Sequence, residues 1–252
     1  DRTMGRLYSV FTHCMLLAAR QEGGLVRNII GDRVMIVFPQ DHCYTKAVNC
    51  AITINHIAML INKKIDNLEF KCGIGIDYGR MRVMKVGVVT KGAENDDNKG
   101  LVWVGYPANF ASRLTDCANK EFTDIMYQVD AKFYHYNLWG NNTLLGFKPS
   151  GWYRETQKLT AEELAQSLVV KTVGYGSALT VSKCIDPVSI KQITEKYKYD
   201  AILVSDAVYK GFKTENPKNK SILENWWKVQ KRSIRDIEFD VWGTDLHWDI
   251  SD

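Results

Sequence analysis

Two runs rich in β-branched and apolar residues, Leu25–Ile30 and residues 33–38, are joined by the dipeptide Gly31-Asp32. A connection this short between strand-like runs makes a β-hairpin, and the glycine supplies the positive φ that such a turn requires. A carboxylate therefore sits at the hairpin tip. Before it, Leu7, Tyr8, Phe11, Met15, Leu16 and Ala19 recur with the helical period, which predicts an amphipathic helix over residues 4–21 ending near Glu22-Gly23-Gly24. After it, Asp41 or His42 opens a second helix carrying Ala47, Ala51, Ile54, Ile57 and Leu60, which stops before the polar stretch 62–67. Helix, hairpin and helix in this order each offer one apolar face, and the three must be buried against one another.

The pattern continues with strands over residues 70–77 and 81–89 around Tyr78-Gly79, a polar loop 90–100, a strand 101–104, the turn Gly105-Tyr106-Pro107 and a helix over 108–117. The order is that of an α+β sandwich: a mixed sheet with helices covering one side. Residues 124–136 read as strand or helix, and 137–153 as a loop of glycines and aromatics. A helix over 160–170 has Thr160 as N-cap with Glu163 three residues on. Residues 188–197 read as a helix, 201–204 as an apolar strand leading into Ser205-Asp206, and 213–220 as a surface loop. Residues 238–242 and 246–250 read as a terminal hairpin turning at Gly243-Thr244.

Of 252 residues, 45% are hydrophobic and 25% charged, enough apolar material for a full core, so disorder is excluded as the bulk state. The net charge of +4 suits small anions weakly and provides no stripe for nucleic acid. Cys14, Cys43, Cys50, Cys72, Cys117 and Cys184 lie in apolar stretches without CxxC spacing and read as reduced core thiols. No apolar run reaches the roughly 18 residues a membrane span needs, and no signal peptide opens the chain, so a cytoplasmic protein is expected. His13, His42, His56, His135 and His247 form no ligand spacing. Trp139, Trp152, Tyr153, Trp226 and Trp227 fit core or interface packing better than stacking on nucleic acid, because no basic groove accompanies them.

Three stretches in order, NIIGDRVMIVF (28–38), CGIGIDYGRMRVMKVG (72–87) and VGYPANFASRLTDCA (104–118), followed by ILVSDAVY (202–209), together resemble the catalytic domain of class III adenylate and guanylate cyclases. The resemblance covers residues 7–118 and 201–250, treats 1–252 as one catalytic domain, and leaves 120–199 as an insertion. It implies a ferredoxin-like sandwich that closes a nucleoside triphosphate into its 3′,5′-cyclic monophosphate, with Mg²⁺ or Mn²⁺ as cofactor, in a homodimer whose active sites are shared. By the same resemblance Asp32 is the second of two metal-binding aspartates. The first would lie on a strand preceding the opening helix, upstream of this sequence; Asp1 aligns inside that helix and is a poor substitute. Asn109 and Arg113, four apart and so on one helix face, match the residues that orient the ribose and stabilise charge at the α-phosphate from the opposite subunit. Arginine suits that role because its planar fork grips two phosphoryl oxygens while staying charged.

The base-selecting positions fall on Asn28 and Val102, where adenylate cyclases carry lysine and aspartate and guanylate cyclases glutamate and usually cysteine. Neither pair is matched. Val102 accepts nothing, whereas Asn28 offers one acceptor and two donors, which suits a pyrimidine edge in either amide orientation. Bulky Trp103 and Tyr106 beside Val102 would fill space a purine needs. The subgroup most resembled is the bacterial pyrimidine cyclases of Pycsar antiphage defence, which make cUMP or cCMP as an alarm signal. The neutral amide leaves UTP and CTP both open. An adenylate cyclase with unusual base contacts and a noncatalytic nucleotide-binding domain are the alternatives. The phosphate-binding lysine that the family often places near its last hairpin has no counterpart in Trp242-Gly243-Thr244-Asp245.

Overall fold

The computed structural model describes residues 2–65, 69–87, 99–135, 151–168, 171–173, 179–181, 184–230 and 240–249. The chain forms two compact units, Asp1–Lys120 with Lys198–Asp252, and Glu121–Tyr197. The described architecture is mixed α and β, with several sheets and six helices among the described residues, compatible with the α+β class.

In the first unit, helix α1 (Arg2–Gln21) leads into strands β1 (Leu25–Ile30) and β2 (Arg33–Val37), the hairpin read from the sequence. Helix α2 (Cys43–Lys64) follows, entered through His42 at φ 49°. It runs past the expected stop because Asn62 is occupied by packing: its amide donates to the Phe70 carbonyl and accepts from the Phe70 N–H, each at 2.7 Å. One side of α2 (Cys50, Ile54, Ala58) meets Leu7, Phe11, Met15 and Ala18 of α1, with Val34 and Ile36 of β2 packed against the cluster. Its other side (Val48, Ala51, Ile52) meets Ile202 and Val204. A helix apolar on two faces belongs inside the fold.

Strand β3 is only Ile74–Ile76, shorter than the run 70–77 suggested. Strands β4 (Arg82–Gly87) and β5 (Lys99–Val104) pair antiparallel, and helix α3 (Tyr106–Cys117) starts with Pro107 in its first turn, where the missing N–H costs nothing. After the second unit come β11 (Ile202–Ser205), α5 (Asp206–Glu215), the short α6 (Lys220–Leu223), β12 (Lys228–Val229) and β13 (Val241–Thr244). The expected loop 213–220 is thus partly helical.

These strands build a four-stranded mixed sheet ordered β12-β13-β11-β3, with β11 parallel to β3 and antiparallel to β13. The terminal hairpin expected at Gly243-Thr244 does not form. Both residues lie inside β13, opposite Leu203 and Ile202. Asp245 then accepts the Ala201 N–H at 2.7 Å and closes the strand, while the described residues 246–249 are not a strand. Helices cover this sheet on both faces, not one. Ile74, Ile76, Ile202 and Val204 face α2 and α5, whereas Gly75 faces α3 so closely that a Cβ there would lie 2.3 Å from the Ala111 carbonyl oxygen.

In the second unit, β6 (Glu121–His135) is the centre of a sheet ordered β10-β6-β7, with β7 (Gly151–Leu159) and β10 (Cys184–Lys198) at its edges. The stretch 124–136 is therefore strand as far as the description reaches. The expected loop 137–153 falls on undescribed residues up to 150, and Trp152 and Tyr153 lie on a strand. The helix expected at 188–197 is a strand: exposure alternates along 192–198, and pairing with β6 overrides a weak helical pattern. Helix α4 (Ala161–Leu168) carries the expected capping box: the Glu163 N–H donates to Thr160 Oγ1 at 3.1 Å, and Glu163 accepts the Thr160 N–H at 2.8 Å. A small antiparallel pair, β8 (Lys171–Val173) and β9 (Leu179–Val181), completes this unit.

Candidate active site

Asp32 follows Gly31, whose φ of 59° is the left-handed conformation that lets the chain reverse in two residues. The tip is exposed, so the carboxylate is presented to solvent. The residue beside it turns back onto α3: Arg33 Nη1 donates to Ser112 Oγ at 3.2 Å, and Nη2 pairs with the Asp116 carboxylate. The hairpin tip is thereby tied to α3 through Arg33, a link the sequence reading did not anticipate.

On α3, buried Phe110 and Leu114 fix the inner face. Asn109 is exposed and Arg113 half-buried, one turn apart on a flank neighbouring the Ser112 and Asp116 edge. Asn28 lies on β1 opposite Met35, and Val102 on β5 opposite Met84; both are exposed. Their neighbours meet: the Arg27 guanidinium lies 5.4 Å from the centroid of the Trp103 ring. The two expected base positions thus sit beside the one described cation–aromatic contact between β1 and β5.

A cleft of about 1330 Å³ is lined by Asn28, Asp32, Arg33, residues 34–38 with β2, and Gly73, Ile74, Gly75, Ile76 and Asp77 around β3. Phe11 and Met15 of α1, Cys50 and Ile54 of α2, and Ala111, Ser112 and Thr115 of α3 complete its lining. Among the described residues β2 pairs with β1 alone, and β3 is the last strand of its sheet. Two strand edges without a partner therefore border one largely apolar cleft, an arrangement that leaves backbone donors and acceptors unpaired.

Asp77, a residue not singled out from sequence, stands at the end of β3 in this lining. One carboxylate oxygen is buried without a partner among the described residues. Burial pushes its carboxyl above the usual range, opposed by hydrogen bonds from the Ser205 hydroxyl and the Tyr78 backbone. Ser205 also caps α5 by accepting the Val208 N–H. The signal in the sequence was an aspartate ending an otherwise apolar strand, Gly-Ile-Gly-Ile-Asp.

As a metal site the cleft offers the exposed carboxylate of Asp32 at the hairpin tip, with Glu69 also exposed in its lining; no group of three His, Cys, Asp or Glu side chains fit to hold a metal occurs among the described residues. That suits Mg²⁺, which is commonly held by one or two carboxylates together with substrate phosphates, better than it suits an all-protein cage. Among the described residues no helix is long and apolar enough to cross a membrane.

No protein-family model matches the chain. Three curated proteins do. A uridylate cyclase of Burkholderia cepacia is 32% identical over 121 residues, 46% of this chain and 50% of that protein. The chain is similar to uridylate cyclases. A uridylate cyclase of Xanthomonas perforans is 34% identical over 116 residues, 43% of this chain and 47% of that protein. One of Gulbenkiania mobilis is 32% identical over 117 residues, 42% of this chain and 43% of that protein. The chain spans about half the length of the uridylate cyclases it matches. The resemblance to bacterial pyrimidine cyclases drawn from the sequence is borne out over that share.

Proposed function

We propose that this chain belongs to a class III nucleotide cyclase that converts a pyrimidine nucleoside triphosphate, UTP or CTP, to the 3′,5′-cyclic monophosphate and pyrophosphate, in a homodimer with shared sites. The observation that carries the reading is the placement of the candidate residues. Asp32 is at an exposed hairpin tip, Asn109 and Arg113 share one α3 flank, and Asn28 and Val102 sit on exposed strand positions of the same unit. The names of the three relatives favour UTP.

The chain's residues divide the work by charge. Arg113 neutralises the charge that develops on the α-phosphoryl oxygens, and Asn109 holds the ribose so that its 3′-oxygen is in line with the α-phosphorus. Asn28 pairs with the pyrimidine edge. Asp32 would hold the Mg²⁺ or Mn²⁺, which would supply a lowered 3′-hydroxyl pKa and screening of the triphosphate charge. Two features support the parts outside a single copy. The cleft bordered by the edges of β2 and β3, which have no partner among the described residues, suits one more strand. Exposed Ile30, Met84, Val102, Val104 and Tyr106, each at least 42% exposed, suit burial against a second copy. Such an enzyme would draw on cytoplasmic triphosphates and produce a signal for antiphage defence.

The test is turnover by the full protein of the four ribonucleoside triphosphates with Mg²⁺ or Mn²⁺. Cyclic UMP or CMP is the expected product, and exclusive use of ATP would overturn the pyrimidine assignment. Arg113→Ala and Asp32→Ala should each be inactive, with activity returning when the two are mixed, since one intact site then assembles from two chains. Lasting inactivity of the mixture refutes the shared site.

A further inference from the structure

The β1–β2 ladder is not regular. Val26 pairs with Ile36 and Asn28 with Met35, which leaves Arg27 as an extra residue without a cross-strand partner. A β-bulge interrupts a ladder and re-aims a side chain, and such bulges gather beside functional sites. Neither glycine nor proline imposes this one. Its product is an exposed arginine whose guanidinium lies 5.4 Å from the centroid of the Trp103 ring, with Asn28 next to Arg27 on β1 and Val102 next to Trp103 on β5. Among the described residues no carboxylate pairs with Arg27. Trp103 keeps its indole N–H buried and without a partner among the described residues, a cost that packing alone does not require. A guanidinium over an aromatic face is attracted by the ring and keeps its N–H donors for other acceptors.

We propose that Arg27, held by Trp103, is the residue that admits uracil and rejects cytosine, by donating to the O4 carbonyl of the base. This rests on the cyclase reading and deepens it. An asparagine amide flips to suit either base, so Asn28 alone does not choose. Arginine has donors and no acceptor. Uracil presents a carbonyl at position 4, which completes the pair; cytosine presents an amine there, which sets donor against donor. Trp103 is a positioning residue in this scheme, since it acts through the arginine.

The experiment measures kcat/KM for UTP and CTP with the full protein, its Arg27→Gln, Arg27→Lys and Trp103→Phe variants, and folding checked by circular dichroism. Arg27→Gln should lower the preference for UTP over CTP roughly ten- to a hundredfold, the loss expected for a charge-assisted hydrogen bond, by lowering UTP turnover alone. Arg27→Lys, which keeps the charge and loses the fork, should fall between. Trp103→Phe retains an aromatic platform and should retain most of the preference. In Arg27→Gln, an unchanged ratio or an equal fall for both substrates overturns the inference while the cyclase reading stands. A wild-type protein that turns over neither pyrimidine triphosphate overturns the pyrimidine assignment and the inference with it, and one that cyclises none of the four triphosphates overturns the cyclase reading as well.

Discussion

Gly75 is the point where β3 and α3 come closest, and replacing it with alanine tests the packing that positions Asn109 and Arg113. A Cβ there would lie 2.3 Å from the Ala111 carbonyl oxygen, 2.5 Å from the Thr115 nitrogen and 2.6 Å from the Leu114 Cβ. Two of these atoms are backbone and the third is a Cβ, so no rotamer change relieves the clash. Reaching ordinary contact requires the helix to move away by about 1 Å. Overpacking of this kind costs about 1 to 3 kcal/mol, and rigid neighbours place Gly75→Ala at the upper end. The shift also stretches the hydrogen bond from the Gly75 N–H to Thr115 Oγ1, now 3.0 Å, worth about 1 kcal/mol. A total near 3 to 4 kcal/mol should lower the urea midpoint by about 1.5 M at an ordinary slope. Gly5→Ala is the control, because Gly5 is exposed in α1 with nothing within 4 Å of a new Cβ. It should stabilise by up to about 1 kcal/mol through helix propensity alone. If Gly75→Ala unfolds at the wild-type midpoint while Gly5→Ala behaves as expected, the close approach of α3 to β3 is refuted.

Asp77→Asn should stabilise the protein at neutral pH. Burial raises the folded-state carboxyl, so the folded protein retains a proton that the unfolded chain has lost, and stability falls as pH rises from the ordinary carboxylate value through the raised one. The advantage of the asparagine should vanish below the ordinary carboxylate range; thermal melts across pH that show a constant offset would contradict this origin. Thr160→Ala removes the N-cap of α4 and should cost about 1 kcal/mol of stability, read as faster amide exchange at the start of that helix. Cys50 is 2% exposed and its thiol is pushed up to about 12, first by burial and then by the charge of Glu22. It should resist alkylation at pH 8 until denaturant unfolds the protein, as followed by mass spectrometry of the labelled peptide.

The sequence by itself determined the elements whose signals are local. The Gly31-Asp32 turn, the stripes of α1 and α2, the Thr160 and Glu163 capping box and the Asn109 and Arg113 spacing each depend on neighbours within a few residues, and each lies where the sequence placed it. Tertiary structure decided what depended on distant partners. Residues 188–197 became strand because β6 offered an edge, and Gly243-Thr244 entered a ladder because β11 lay opposite. Asp77 acquired a hydrogen-bond partner for its part-buried carboxyl from a sheet neighbour 128 positions along the chain, Ser205. The Arg27 bulge likewise brings together residues from two hairpins. A side chain's period is written along the chain, whereas its partner across space is set by how the apolar faces of remote segments are buried together.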